Sequence, residues 1–194
     1  DLSSIADYIK SQVLPEDDAI VREKRGNVRY MVNSSMSIKP DHPSPSKRKE
    51  LKDCGFLNIT FRINVAWNGS EFVAESGYAQ VAKDENTFPA SRGRDGKIVD
   101  INEALAELYY YEEGMRTRLI PSDADIASMK TAAIRAANSL NAGLTIEDYL
   151  KFIGIDIILE LDNIIITPIV LEANPRPAGL AQSTEITGIS SEIS

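Results

Sequence analysis

Asp156, Glu172, Asn174 and Arg176 lie within or at the end of the most apolar part of the chain, Ile153 to Leu180, IGIDIILELDNIIITPIVLEANPRPAGL. A carboxylate in a buried strand costs several kcal/mol unless a cation or hydrogen bonds compensate it. The stretch reads as two apolar strands folded back on each other, followed by a Pro/Gly-rich loop. Glu172 and Asn174 are two positions apart, so on a strand they share a face, with Ile169, Leu171 and Ala173 on the other. A two-residue turn pairing Leu161 with Ile164 would leave Asp156 on the wrong face. A three-residue loop, Asp162-Asn163-Ile164, pairs Leu161 with Ile165 and sets Asp156 opposite Val170, diagonal to Glu172 at roughly 7–8 Å. Asn163 suits the left-handed position such a loop needs. The spacing therefore predicts the odd-length loop, or a bulge of equal effect near Pro168. Two carboxylates and an amide oxygen on one face suit a hard, oxygen-seeking cation such as magnesium. The plainer alternative is an edge hairpin whose acids face solvent.

What must position these residues is a sheet. Asn58–Trp67 and Glu71–Lys83 are two strand-like runs joined by Asn68-Gly69, a strong hairpin signal. On the first run Ile59, Phe61, Ile63, Val65 and Trp67 share one face and Arg62 lies on the other. The loop Phe88–Gly96, FPASRGRDG, carries Ser91, Arg92 and Arg94. Arginines beside glycines can grip phosphate or carboxylate bidentately, with Arg92 the better candidate; the alternative is a charged surface turn.

A strand of the form GxD, then a strand ending in LExNPRP with a glycine-containing loop, resembles the last part of the ATP-grasp carboxylate ligases. The resemblance implies that Asp156, Glu172 and Asn174 hold magnesium (or manganese) on ATP, with Glu172 and Asn174 also serving the nucleotide. It implies that Arg176, with Arg62 or Arg92, approaches the transferring phosphoryl group. Glu23, in the strand-like material between Ala19 and Met36, would be the adenine-contacting hinge acid. The family's order of Arg-led strand, return strand, loop, helix and GxD is matched; Ser-Arg-Gly-Arg stands where a double glycine and an asparagine are common.

Composition bounds the rest. A chain of 194 residues, 43% hydrophobic and 26% charged, can bury a core of its own. The formal charge of −8 argues against a general nucleic-acid binder. No apolar run reaches the ~20 residues of a membrane span, and no secretory signal is visible, so a cytoplasmic setting is the default. Cys54 is alone, which removes internal disulfides and cysteine-based zinc sites. The Asn58-Ile-Thr60 and Asn68-Gly-Ser70 sequons read as chance, and His42 lies in a polar loop over 37–53 without triad partners.

Further elements complete the picture. Leu2–Leu14 carries a helical stripe ended by Pro15. Ile101–Tyr111 reads as helix, its tyrosine run a packing feature. Ser122 caps the clearest helix, which runs to Leu140 with Ile126, Met129, Ala133 and Ala137 at helical spacing. Thr145–Lys151 is a candidate short helix, and 184–194 is a polar tail.

The expected fold is α+β, a single domain over 1–194 with an antiparallel sheet carrying both hairpins and helices packed on one side. The opening at Asp1 suggests the C-terminal portion of a larger ligase whose N-terminal domains are its missing partners. The function the resemblance implies is ATP- and magnesium-dependent activation of a small carboxylate as an acyl phosphate, for attack by an amine or similar nucleophile. Alternatives are a non-catalytic binding or assembly module of the same architecture, or a phosphotransferase using the same metal triad. A homodimer is compatible with either; no nucleic-acid or membrane partner is expected.

Overall fold

The computed structural model describes residues 25–31, 56–91, 94–112 and 115–175. Their elements run β1 (Val28–Met31), β2 (Phe56–Leu57), β3 (Ile59–Trp67), β4 (Phe72–Val81), β5 (Lys97–Asp100), α1 (Ile101–Ala106), β6 (Leu108–Glu112), β7 (Met115–Leu119), α2 (Asp123–Leu140), β8 (Phe152–Asp162) and β9 (Ile165–Asn174). They form a five-stranded sheet in the order β5-β4-β3-β8-β9 and a four-stranded sheet in the order β2-β1-β6-β7. All pairings are antiparallel. The architecture is mixed α and β with few helices, and both predicted hairpins lie in the larger sheet.

That sheet has two unlike faces because each strand alternates. Phe61, Ile63 and Val65 on β3 and Ile153, Ile155 and Ile157 on β8 are fully buried. They form one core with Met129, Ala133 and Ala137 of α2. The small alanines let the helix approach strands β3, β4, β8 and β9. Ser122 starts α2 with a capping box, its hydroxyl accepting from the Asp125 amide while the Asp125 carboxylate accepts from the Ser122 amide at 2.8 Å. The other face carries Thr60, Arg62 and Asn64 on β3, with Asp156 next to Arg62 on β8.

Three sequence expectations are corrected, and the β8–β9 hairpin takes the bulged rather than the odd-loop form of its two expected alternatives. Helix α1 stops at Ala106, and the tyrosines continue as β6 paired to β1 and β7. Aromatic side chains suit a strand, and Tyr109 packs edge-on against Phe56, centroids 5.7 Å apart. The second sheet they help to form was not foreseen. After α2 only a 3-10 turn at Ile146–Asp148 forms. The β8–β9 connection is a two-residue turn, Asn163-Ile164, between paired Asp162 and Ile165. Asn163 takes the left-handed conformation, φ 56°. The Leu2–Leu14 helix, the 37–53 loop with His42 and the 184–194 tail lie outside the described residues. No helix among the described residues is long and apolar enough to cross a membrane.

Candidate functional site

An even turn alone would have placed Asp156 opposite Leu171 and turned Glu172 to the other face. It does not, because the ladder slips by one residue between Ile157 and Asp156. Ile157 pairs with Val170, but Asp156 pairs with Glu172 and Gly154 with Asn174. Leu171 is the extra residue of a bulge on β9. The expected convergence of Asp156, Glu172 and Asn174 thus occurs, through a bulge three positions beyond Pro168 rather than through an odd loop.

The charge at the centre of this convergence comes from β3. Arg62 lies directly beside Asp156 across the β3–β8 pair. Its Nε donates to Asp156 Oδ1 and its Nη2 to Asp156 Oδ2, both at 2.6 Å. This two-pronged geometry is the strongest form of the arginine–carboxylate pair. The two side chains are only 15% and 10% exposed. Burial opposes the charged guanidinium, but hydrogen bonding and the charge of Asp156 outweigh it and hold Arg62 above its ordinary range. Nη1 reaches the Tyr78 hydroxyl at 3.4 Å.

The amide of Asn174 completes the arrangement. Turned to satisfy both neighbours, it accepts from Arg62 Nη2 at 2.9 Å and donates to Glu172 Oε1 at 3.0 Å. Gly154, the glycine of the GxD motif, now has a physical role. A Cβ there would stand 3.1 Å from Arg62 Cδ and 3.4 Å from its Nε. The bare backbone leaves the lane along which the arginine reaches Asp156.

Beside this cluster is a cavity of about 200 Å³. Its lining includes Asp156, Glu172 and Leu171 from the β8–β9 pair and Ser91 and Arg94 from the β4–β5 loop. Buried Asn58 anchors that loop, donating from Nδ2 to Glu85 O at 3.0 Å and Thr87 O at 2.8 Å. Its far end is closed by Gly96, whose amide donates to Ser91 O at 2.9 Å. A side chain at Gly96 would collide with that carbonyl, at 2.5 Å. Thr60, 1% exposed, lines the cavity, and its Oγ1 has no hydrogen-bond partner among the described residues. Burial of Asn58 and Thr60 also removes their sequon from the surface, as its reading as chance requires.

No family model, curated protein or solved structure matches this chain.

The predicted residues therefore divide. Asp156, Glu172, Asn174 and Arg62 are brought together on one face. Arg94 lines the same cavity, donating to Phe88 O at 2.7 Å and with no carboxylate partner among the described residues. Arg92, Arg176 and Glu23 lie outside the described residues. Sequence reasoning missed Thr60 and the pairing of Arg62 with Asp156. The second had a signal: Arg62 and Gly154 sit on neighbouring strands, and a glycine in a buried strand marks a close approach.

A divalent cation can be tested against these donors. Among the described residues no three His, Cys, Asp or Glu side chains cluster, so a cation would rest on two carboxylates and an amide. A carboxylate offers about four lone-pair directions, and Arg62 takes two of Asp156's. Glu172 is exposed and lines the cavity, and its Oε2 has no hydrogen-bond partner among the described residues. The donors are hard oxygens of the type magnesium or manganese takes; Arg62 already engages both Asp156 oxygens and the Asn174 oxygen, which leaves Glu172 Oε2 as the unengaged side-chain oxygen of the three residues.

Proposed function

We propose that this face is the metal- and phosphate-binding lobe of an ATP-grasp carboxylate ligase, acting on ATP and a small carboxylate. The observation that carries the reading is the bulge at Leu171. A regular ladder would bury Glu172 or point it away, so an irregular one that aligns it with Asp156 and Asn174 costs backbone pairing and calls for a function. The second support is location: the aligned oxygens border a cavity whose lining also includes Arg94, an arginine without a carboxylate partner among the described residues.

Magnesium, held by Asp156, Glu172 and Asn174, would supply neutralisation of the phosphate oxygens. The chain's own groups do the rest. Arg62 restrains Asp156 and Asn174 in position, so the site is organised before any ligand arrives. Arg94 offers a cation in the cavity lining, on the β4–β5 loop that Asn58 and Gly96 tie down. The ligation step to an amine is carried over from the resemblance, as are the roles of Arg92, Arg176 and Glu23.

A second reading has its own observation. Arg62 already compensates Asp156 fully, so the acid has a structural reason to exist in a non-catalytic module. Hydroxamate formation separates the two. With ATP, magnesium, a carboxylate and hydroxylamine, the protein forms hydroxamate if it activates carboxylates. Glu172→Gln abolishes this while leaving the circular dichroism spectrum and melting temperature near wild type. Undiminished hydroxamate formation by Glu172→Gln would overturn the metal assignment.

A further inference from the structure

We infer that the cavity between Thr60, Ser91, Arg94 and Leu171 binds the carboxylate substrate itself, and that this substrate is a short monocarboxylate with an uncharged apolar tail. The inference rests on the ligase reading and deepens it.

Three features of the cavity specify the ligand. Its donors converge from separate elements. Arg94 lacks a carboxylate partner among the described residues, Ser91 adds a hydroxyl, and Thr60 adds an Oγ1 that is buried and unpartnered. A buried hydroxyl without a partner costs about 1–3 kcal/mol and is rare in native structures. A rotation of the Thr60 side chain that brings Oγ1 to the cavity surface would let an anion accept from it and remove that cost. Next, the remaining wall is apolar, formed by Phe88, Pro89, Ala90 and Leu171. Among the described residues it offers no second cation for a dicarboxylate and no carboxylate beyond Asp156 and Glu172. Last, about 200 Å³ is less than the roughly 300–1,000 Å³ of sites for drug-sized ligands. A nucleotide does not fit there, so the cavity is a compartment for a small molecule beside the phosphate-binding face.

Charge favours an anion over an amine once a cation is present. Asp156 is neutralised by Arg62, which leaves Glu172 against Arg94. A divalent ion on Glu172 makes the cavity positive. Carboxylate binding is therefore expected to strengthen with magnesium, and amine binding to weaken.

The test is an NMR titration of the 194-residue chain, following the amide and methyl signals of Thr60, Ser91 and Leu171. Butyrate is the probe, with acetate, valerate, succinate and butylamine as comparisons, each with and without magnesium chloride. Saturable shifts at these residues are expected with butyrate, tightening about fourfold per added methylene until the cavity is filled. Thr60→Val should weaken butyrate about tenfold or more while leaving the melting temperature unchanged or higher, because an unpartnered hydroxyl is removed. Leu171→Phe, which fills the cavity without touching a donor, should abolish binding. Absence of saturable shifts, succinate binding as tightly as butyrate, butylamine displacing butyrate, or Thr60→Val binding unchanged would each overturn the inference. Failure of the ligase reading looks different: butyrate would still bind, but magnesium would neither strengthen it nor move the Glu172 and Asn174 signals.

Discussion

Asp156 and Glu172 are direct cross-strand partners, although regular pairing from the Asn163-Ile164 turn would have set Asp156 against Leu171. One extra residue on β9 reverses which side chains face the cavity. Deleting Leu171 removes the extra residue, so a regular ladder should keep Ile157 opposite Val170 and Asp156 opposite Glu172. The deletion is expected to fold and to keep the magnesium-induced shifts at Glu172 and Asn174. Loss of those shifts in a folded deletion variant would contradict the view that the bulge serves to set this register.

The Arg62–Asp156 pair is expected to be strongly coupled. Arg62→Ala leaves a buried carboxylate without its cation and should cost about 3–5 kcal/mol in urea unfolding. Replacing both, Arg62→Met with Asp156→Leu, should cost much less than the sum of the two single changes. Simple additivity would show that the pair holds nothing in place.

Gly154 owes its identity to that arginine. With a Cβ 3.1 Å from Arg62 Cδ, Gly154→Ala should destabilise by about 1 kcal/mol, a modest figure because a flexible side chain is what must give. In an Arg62→Ala background the same change should be neutral or stabilising, since alanine suits a strand better than glycine. An equal penalty in both backgrounds would mean that some other neighbour sets the limit.

Acid stability should report the contact between the chain before β1 and strand β8. Arg25 Nη2 meets Glu160 Oε1 at 2.5 Å, and the Gly26 amide donates to Glu160 Oε2 at 3.1 Å. The Arg25 hydrogen bond, then the Gly26 amide, lower the Glu160 carboxyl from 4.5 to about 2. A depressed carboxyl pKa stabilises the fold fully above the unfolded value and loses that contribution as pH falls through the folded one. Stability should therefore decline between pH 4.5 and 2, by a small amount because Arg25 is 41% exposed. Glu160→Gln should flatten that part of the profile; an unchanged decline would assign it to other acids.

Much of this architecture was legible in residue order. The Asn68-Gly69 hairpin, the capped helix from Ser122 and the shared face of Glu172 and Asn174 follow from spacing and local chemistry. Other features depend on contacts between distant segments. Strand β6 reads as a helical continuation until β1 and β7 pair with it, although its tyrosines carry a strand preference. The Leu171 bulge has no local signature, because Val170-Leu171-Glu172 is an ordinary strand sequence. The partner of Asp156 lies on β3, 94 positions away, and the unpartnered state of Thr60 is visible only once the sheet and the loop beyond β4 enclose it.

Manganese-induced broadening in the amide spectrum of this chain tests the central claim most directly, since it reads cation position without requiring turnover. Substoichiometric Mn²⁺ should broaden Asp156, Glu172 and Asn174 first, with magnesium competing and Glu172→Gln removing the effect. Broadening centred instead on the acids at the start of α2, Asp123 and Asp125, with Asp156, Glu172 and Asn174 sharp, would contradict the account.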